Sequence, residues 1–329
     1  MTKARENSDY TGLQAEIVAG DTAARAGRKN LIINGDNRIS QRGTYTSALD
    51  FVHNSYLLDR WIAGKSGGSI DGTITHSSDT VNGAVCETQK YIVTTGYAGS
   101  WIGGRQILEF PETFIGRTLT VSAWVKSNSD DARILLWDVN SGTNTAIATQ
   151  AHTGGGAWEY LSSTGTVMAG TTGLTLYMAT LTEAAGTVTT STGDYIEFTN
   201  VQIELGSVAT DFEHRSYGEE LALCMRYYQR FGGASYIGLA SGVQGSTTTS
   251  KFTFVHPVQM RTAPSVGFSN IIVTNRTSFD VDITSVAGPT GATSSYISVN
   301  HTTCGAAHRA ILMVVKNGTV GDLSFTAEL

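Results

Sequence analysis

From Thr118 to Lys126 apolar and polar residues alternate one for one. Leu119, Val121, Ala123 and Val125 fall on one side, and Thr120, Ser122, Trp124 and Lys126 on the other. Side chains two apart share a face of a strand, so the segment reads as a strand with one buried face. Gly173–Leu181 repeats the pattern, with Leu174, Leu176 and Met178 facing in and Thr175 and Tyr177 facing out. In Tyr195–Leu205 the phase slips: Ile196 and Phe198 share one face before Val201, Ile203 and Leu205 take over. A slip of one residue would turn every later side chain over, so a β-bulge is predicted near Thr199–Asn200. Asn34-Gly35, Gly67-Gly68, Asn82-Gly83 and Gly154-Gly155-Gly156 supply turn chemistry between such strands. Alternation resumes at Phe252 and Phe254, in Phe279, Val281 and Ile283, and in Leu323, Phe325, Ala327 and Leu329.

One helix interrupts this pattern. Ser216 and Glu219 have the spacing of a capping box. Tyr217, Leu221, Cys224, Tyr228 and Phe231 follow at helical intervals, predicting a helix to about Arg230 that stops at Gly232-Gly233. The expected class is all-β: two β-sandwich (jelly-roll-like) domains joined by one α-helix, with an N-terminal arm. The predicted boundaries are an arm at 1–29, a first sandwich at 30–215, a linking helix at 216–232 and a second sandwich at 233–329. Residues 1–29 show no alternation; they read either as an arm that orders against a partner or as a disordered tail. All five tryptophans lie between Trp61 and Trp158, so the two β regions are not repeats of one another.

Composition sharpens the picture in three places. Charged residues are only 15% of the chain, a surface made polar by hydroxyls rather than by the Glu and Lys of exposed helices. The net charge of −6 divides as +1 for residues 1–29, −8 for 30–215 and +1 for 216–329. No segment is strongly basic, which excludes a nucleic-acid partner on electrostatic grounds. Cys86, Cys224 and Cys304 lie far apart with no metal-ligand spacing, and are expected as buried thiols. The polar opening MTKARENSDY is neither a signal peptide nor a membrane span, so synthesis in the cytoplasm without membrane insertion is expected.

No catalytic set is apparent. A G-x-S-x-G elbow, the zinc-binding histidine spacings and a phosphate loop are all missing, and Gly35-Asp36-Asn37 lacks the serine of a GDS-type esterase. The expectation is a protein that binds rather than one that turns over a substrate. Alternation places Trp124 and Tyr177 on polar strand faces, where an aromatic ring either stacks on the apolar face of a sugar or is covered by a neighbouring loop or subunit. Tyr97 and Trp101, beside Gly99, Gly103 and Gly104, sit in a loop-like stretch and either line a glycan site or plug the end of the sandwich. Trp61, within Asp59-Arg60-Trp61, is expected in the core.

Three stretches carry a resemblance. They are Asn30-Leu-Ile-Ile-Asn-Gly-Asp-Asn-Arg-Ile-Ser-Gln-Arg-Gly43 with Asp59-Arg60-Trp61; Val201-Gln-Ile-Glu-Leu-Gly-Ser-Val-Ala-Thr-Asp-Phe-Glu213 running into Tyr217–Arg230; and His256-Pro-Val-Gln-Met-Arg-Thr-Ala-Pro264. Together with the opening Thr2-Lys-Ala-Arg5 they resemble a class of bacteriophage virion proteins, tail fibres and minor structural proteins. In that class a carbohydrate-binding-module-like jelly roll is joined by a helix to a C-terminal β domain. The resemblance implies a homotrimeric virion protein, anchored to other virion proteins through residues 1–29, that presents its β domains to host surface glycans. It also implies a structural Ca²⁺ where the first and last strands meet, with Asp36 as a ligand. The matching late position near Thr199-Asn200 is not an acid here. Two rival functions remain: a structural capsid decoration or head fibre that binds no glycan, and a polysaccharide hydrolase.

Overall fold

A computed structural model describes residues 28–43, 45–66, 70–140, 142–182, 184, 186–275, 280–288, 291–302 and 310–329. The arm expected at 1–29 therefore lies almost wholly outside the described residues, as do Gly67-Gly68, Phe279 and Cys304. The chain forms two compact units. Among the described residues, one comprises 28–38, 45–56 and those from Trp61 to Arg215; the other comprises Ile39–Gly43, Leu57–Arg60 and those from Ser216 to Leu329. Two short segments from the first sixty residues thus fold with the C-terminal third, an exchange that a single cut at residue 215 does not anticipate.

Unit 1 is a sandwich of antiparallel sheets. Its strands are β1 (Leu49–Asp50), β2 (Ser55–Tyr56), β3 (Ile62–Ser66), β4 (Asp71–Val81), β5 (Ala84–Thr95), β6 (Ala98–Leu108) and β7 (Thr118–Ser127). They continue as β8 (Ala132–Asn140), β9 (Thr145–Ala151), β10 (Trp158–Thr166), β11 (Thr171–Thr180), β12 (Val188–Thr189) and β13 (Tyr195–Leu205). The first sheet runs β1-β4-β5-β13-β7-β10; the second runs β2-β3-β6-β11-β8-β9, with β12 on β6. Leu119, Val121, Ala123, Val125, Leu174, Leu176 and Met178 are fully buried between them, as their alternation predicts. Trp61 packs its ring 5.1 Å from Phe198, and its indole N–H donates to the Asn34 carbonyl at 2.9 Å. Asn82 and Gly83, both at positive φ (47° and 82°), make the two-residue turn from β4 to β5.

The predicted bulge is present. The pairing of β13 with β7 shifts register between Thr199 and Gln202, and Asn200 takes a left-handed φ of 50°. The extra residue lets Val201 and Ile203 return to the core after Ile196 and Phe198. Leu205 does not follow them: at the strand end it is 46% exposed.

The segment Asn30–Arg38 is a clasp on β13. The Asn30 side-chain amide donates to the Val201 carbonyl at 3.0 Å, while its oxygen accepts from the backbone N–H groups of Ile32 and Ile203. Asn37 donates to the Phe198 carbonyl at 2.9 Å. A Cβ at Gly35 would lie 2.2 Å from the Val201 carbonyl oxygen, so only glycine lets the two chains approach this closely. The most distinctive sequence motif is therefore used to join the beginning of the sandwich to its last strand.

Unit 2 opens with α1 (Tyr217–Met225), capped as expected by Ser216, whose hydroxyl accepts from the Glu219 N–H. The helix ends five residues before the predicted Arg230. Tyr228–Gly232 is instead a strand, β14, paired with β22 (Asp322–Thr326). The ladder hydrogen bonds of β22 outweigh the helical spacing of Tyr228 and Phe231. The remaining strands are β15 (Gly238–Gln244), β16 (Thr249–Val255), β17 (Ser265–Ser269), β18 (Ile271–Thr274), β19 (Asp280–Ala287), β20 (Ser294–His301) and β21 (Ala310–Val315). The all-β expectation holds, and here the strands close into a barrel, β15-β16-β20-β19-β18-β21, beside a sheet β14-β22-β17. Phe252, Phe254, Leu323 and Phe325 lie in one core.

Candidate functional site

The outward face of the first sheet of unit 1 carries a cluster of aromatic and charged groups around Trp124. Along β7, Thr120, Ser122, Trp124 and Lys126 lie on the side away from the sandwich core. Thr120 and Ser122 are buried there too, so the strand does not have the single buried face its alternation predicts, and only Trp124 and Lys126 are part-exposed. Strand β10 sets Tyr160 opposite Trp124 and Trp158 opposite Lys126. On the other flank, β13 sets Thr199 opposite Trp124 and Glu197 opposite Lys126, and β5 sets Lys90 opposite Glu197. The rings of Trp124 and Tyr160 lie 5.5 Å apart with their planes at 56°. Trp124 is half-buried and Tyr160 is 44% exposed, so the pair presents ring surface to solvent.

The sheet curls over this face. Asp79 of β4 is separated from Lys126 of β7 by two intervening strands, a gap of about 14 Å in a flat sheet. Yet the Lys126 ammonium lies 2.9 Å from the Asp79 carboxylate, which also accepts from the Trp158 indole N–H at 3.1 Å. The twisted β4–β5 hairpin therefore arches across the face and makes a trough. The hydrogen bond from Lys126 holds the Asp79 carboxyl below its usual range, and the same bond raises the Lys126 ammonium. Under the arch Glu197 is 5% exposed and accepts a 2.8 Å hydrogen bond from Thr88. Lys90 sits 4.0 Å above the ring centroid of Tyr195.

The four aromatic residues picked from the sequence are not brought together. Trp124 lies on the first sheet; Tyr177 and Trp101 lie on the outward face of the second. Trp101 is in β6 rather than in a loop, and it is 9% exposed. It packs across Gly64, where a Cβ would meet its ring at 2.2 Å, and edge-on to Tyr177 at 5.8 Å and His53 at 5.9 Å. Arg105 reaches the Tyr177 hydroxyl at 3.4 Å and Asn54 at 2.6 Å. Burial, then Arg105 and Lys65, lowers the pKa of His53. This second cluster is a packed patch with little free ring surface. Tyr97, in the turn before β6, is 44% exposed and stands apart from both.

Sequence reasoning missed Tyr160, Trp158, Asp79 and Glu197. The signal for the first two was present: Trp158 and Tyr160 are two apart, hence on one face. Nothing local announces that Asp79 meets Lys126.

Asp36 fits a cation poorly. One of its carboxylate oxygens is paired with the Arg38 guanidinium, which also donates to the Arg215 carbonyl at 2.7 Å. The other oxygen is buried without a hydrogen-bond partner, the one feature that suits a metal. The late position is occupied by Asn200, and no three His, Cys, Asp or Glu converge among the described residues. Ca²⁺ wants several hard oxygens, which this set does not supply.

Unit 2 contains a chain of hydrogen bonds from Ser295 to His256 at 2.9 Å and from His256 to Gln229 at 2.9 Å. Ser295 and Gln229 are fully buried, so the chain ties β20 to β14 and offers no nucleophile to solvent. Burial lowers the His256 pKa.

No protein-family model matches the sequence. No curated protein matches it either. Solved structures do. One is the CBM22-1–GH10 portion of endo-1,4-β-D-xylanase 10B from Clostridium thermocellum in complex with xylohexaose, at 20% identity and a TM-score of 0.33 over 52% of this chain and 30% of that one. A sugar-binding protein of Bacteroides thetaiotaomicron, described as putative, is 9% identical at a TM-score of 0.36 over 54% of this chain and 100% of that one. The enzymatically active domain of tailspike protein 4 of bacteriophage CBA120 is 15% identical at 0.35, over 54% of this chain and 21% of that one. The present chain thus spans under a third of the xylanase and tailspike chains.

Proposed function

We propose that unit 1 binds glycans on the outward face of its first sheet, and that the protein is a bacteriophage virion fibre or tail-associated protein. The observation that carries the glycan reading is the Trp124–Tyr160 pair at 5.5 Å, half-buried at Trp124 and exposed at Tyr160, beside the exposed Ser162 and the part-exposed Lys126 and Asp79. An aromatic face with polar neighbours matches a sugar ring, whose C–H face is apolar and whose edge carries hydroxyls. The virion reading rests on the motif resemblance, as do a homotrimeric state, anchoring through residues 1–29 and assembly without secretion. A purely structural virion role is favoured by one observation, the exposed apolar Val243, Val255 and Tyr296 on the barrel strands of unit 2.

The test is binding of purified protein to candidate host cells with and without their surface polysaccharide. The expected result is polysaccharide-dependent binding that weakens at least tenfold in Trp124→Ala with the melting temperature unchanged. Binding that survives removal of the polysaccharide, or survives Trp124→Ala, would refute the assignment of this face.

A further inference from the structure

Resting on the glycan reading of this face, we infer that the trough selects neutral glycans and rejects anionic ones, with Asp79 and Glu197 as the discriminating groups. The charges at the arched end of the sheet cancel. Four charged side chains share that end: Asp79 and Glu197, Lys126 and Lys90. Each ammonium is already engaged. Lys126 is 2.9 Å from Asp79, and Lys90 lies over the Tyr195 ring and directly across the ladder from Glu197. The burial of Glu197 makes its charge felt at short range, since water screens it little.

A neutral sugar stacked on Trp124 and Tyr160 meets a platform whose charges cancel. Its hydroxyls have an acceptor in the part-exposed Asp79 carboxylate and a donor or acceptor in Ser162, exposed on β10 two residues from Tyr160, while the buried Glu197 acts through its charge. A uronic or sialic acid brings a carboxylate to the same place. It finds no unengaged ammonium and must either face Glu197 and Asp79 or break the Lys126–Asp79 pair. Repulsion built into a site is as effective a source of specificity as added attraction.

The same groups predict how the preference can be reversed. Asp79→Asn with Glu197→Gln keeps the shapes, removes two negative charges and releases both lysines, so the local charge changes from zero to +2. The experiment measures binding of the full-length protein to soluble neutral polysaccharides (a glucan, a mannan, a galactan and a xylan) and to two uronic-acid polymers, polygalacturonate and alginate. Each is run at low and high salt, for the wild type, the double variant and Trp124→Ala.

The expected result is at least one neutral polymer bound ten times more tightly than either acidic one, with no salt dependence. The double variant should bind the acidic polymers at least tenfold more tightly than the wild type does, in a salt-sensitive way. Wild-type protein that binds polygalacturonate or alginate as tightly as any neutral polymer, with the binding lost in Trp124→Ala, overturns the selectivity while leaving the glycan-binding face in place. A neutral preference that the double variant retains in full overturns the roles of Asp79 and Glu197. Absence of binding to every polymer overturns both readings.

Discussion

Replacing Glu328 by Gln should destabilise unit 2 selectively. The Glu328 carboxylate receives Arg42 at 2.6 Å and Arg60 at 2.9 Å, one arginine from each of the two early segments that fold with the C-terminal third. All three side chains are largely buried, and each guanidinium also covers a tyrosine ring at 3.7 Å, Arg42 on Tyr228 and Arg60 on Tyr227. Glutamine keeps the size and one acceptor oxygen but removes the negative charge that two buried guanidiniums share. Removing one partner of a buried pair costs about 3–5 kcal/mol, because the remaining charge stays out of water. The stacked rings retain part of each arginine's environment, at about 1 kcal/mol apiece, so the lower end of that range applies. A loss of about 3 kcal/mol lowers the melting temperature of a unit this size by roughly 10 °C. Calorimetry on the full chain checks this, with tryptophan fluorescence reporting unit 1, which holds every tryptophan. The reasoning is refuted if Glu328→Gln melts within about 2 °C of the wild type, since the two arginines would then need no counter-charge.

Three further outcomes are expected. Burial raises the Asp59 carboxyl to about 6, helped by the like charge of Glu328, against hydrogen bonds from the backbone N–H and side chain of Gln41 and the charge of Arg42. Its folded pKa lies above its unfolded value, so its contribution to stability is complete below about pH 4 and is lost as pH rises through 6; a carboxyl resonance of Asp59 titrating below 5 would contradict this. Gly35→Ala should cost about 1–3 kcal/mol in unit 1, because its Cβ would meet the Val201 carbonyl oxygen at 2.2 Å, and an unchanged denaturant midpoint would refute the clasp. Because Arg38 already neutralises Asp36, millimolar Ca²⁺ or EDTA should leave the melting temperature of unit 1 unchanged; a rise with Ca²⁺ that Asp36→Asn abolishes would place a cation there after all.

The features legible in the amino-acid order alone were local and periodic. Alternation in Thr118–Lys126 and Gly173–Leu181 assigned every inward side chain correctly, because strand geometry sends neighbours to opposite faces whatever surrounds them. The phase slip at Thr199–Asn200 disclosed the bulge for the same reason, and Ser216 with Glu219 disclosed the helix start. Alternation also gave the outward direction of Trp124, one of the two rings on the candidate platform. Tertiary structure decided everything that depends on which strand lies beside which. Tyr228–Gly232 has the spacing of a helix, yet it pairs with Asp322–Thr326, almost a hundred residues later. Trp101 has the glycine-rich neighbours of a loop, yet lies in a strand, sealed against Gly64, Tyr177 and His53. Arg42 and Arg60 acquire their role only where the chain end brings Glu328 to them. The trough itself is the clearest case: Asp79 and Lys126 are 47 residues apart. They meet because a twisted hairpin arches over its own sheet, a consequence of accumulated strand twist that no window of sequence contains.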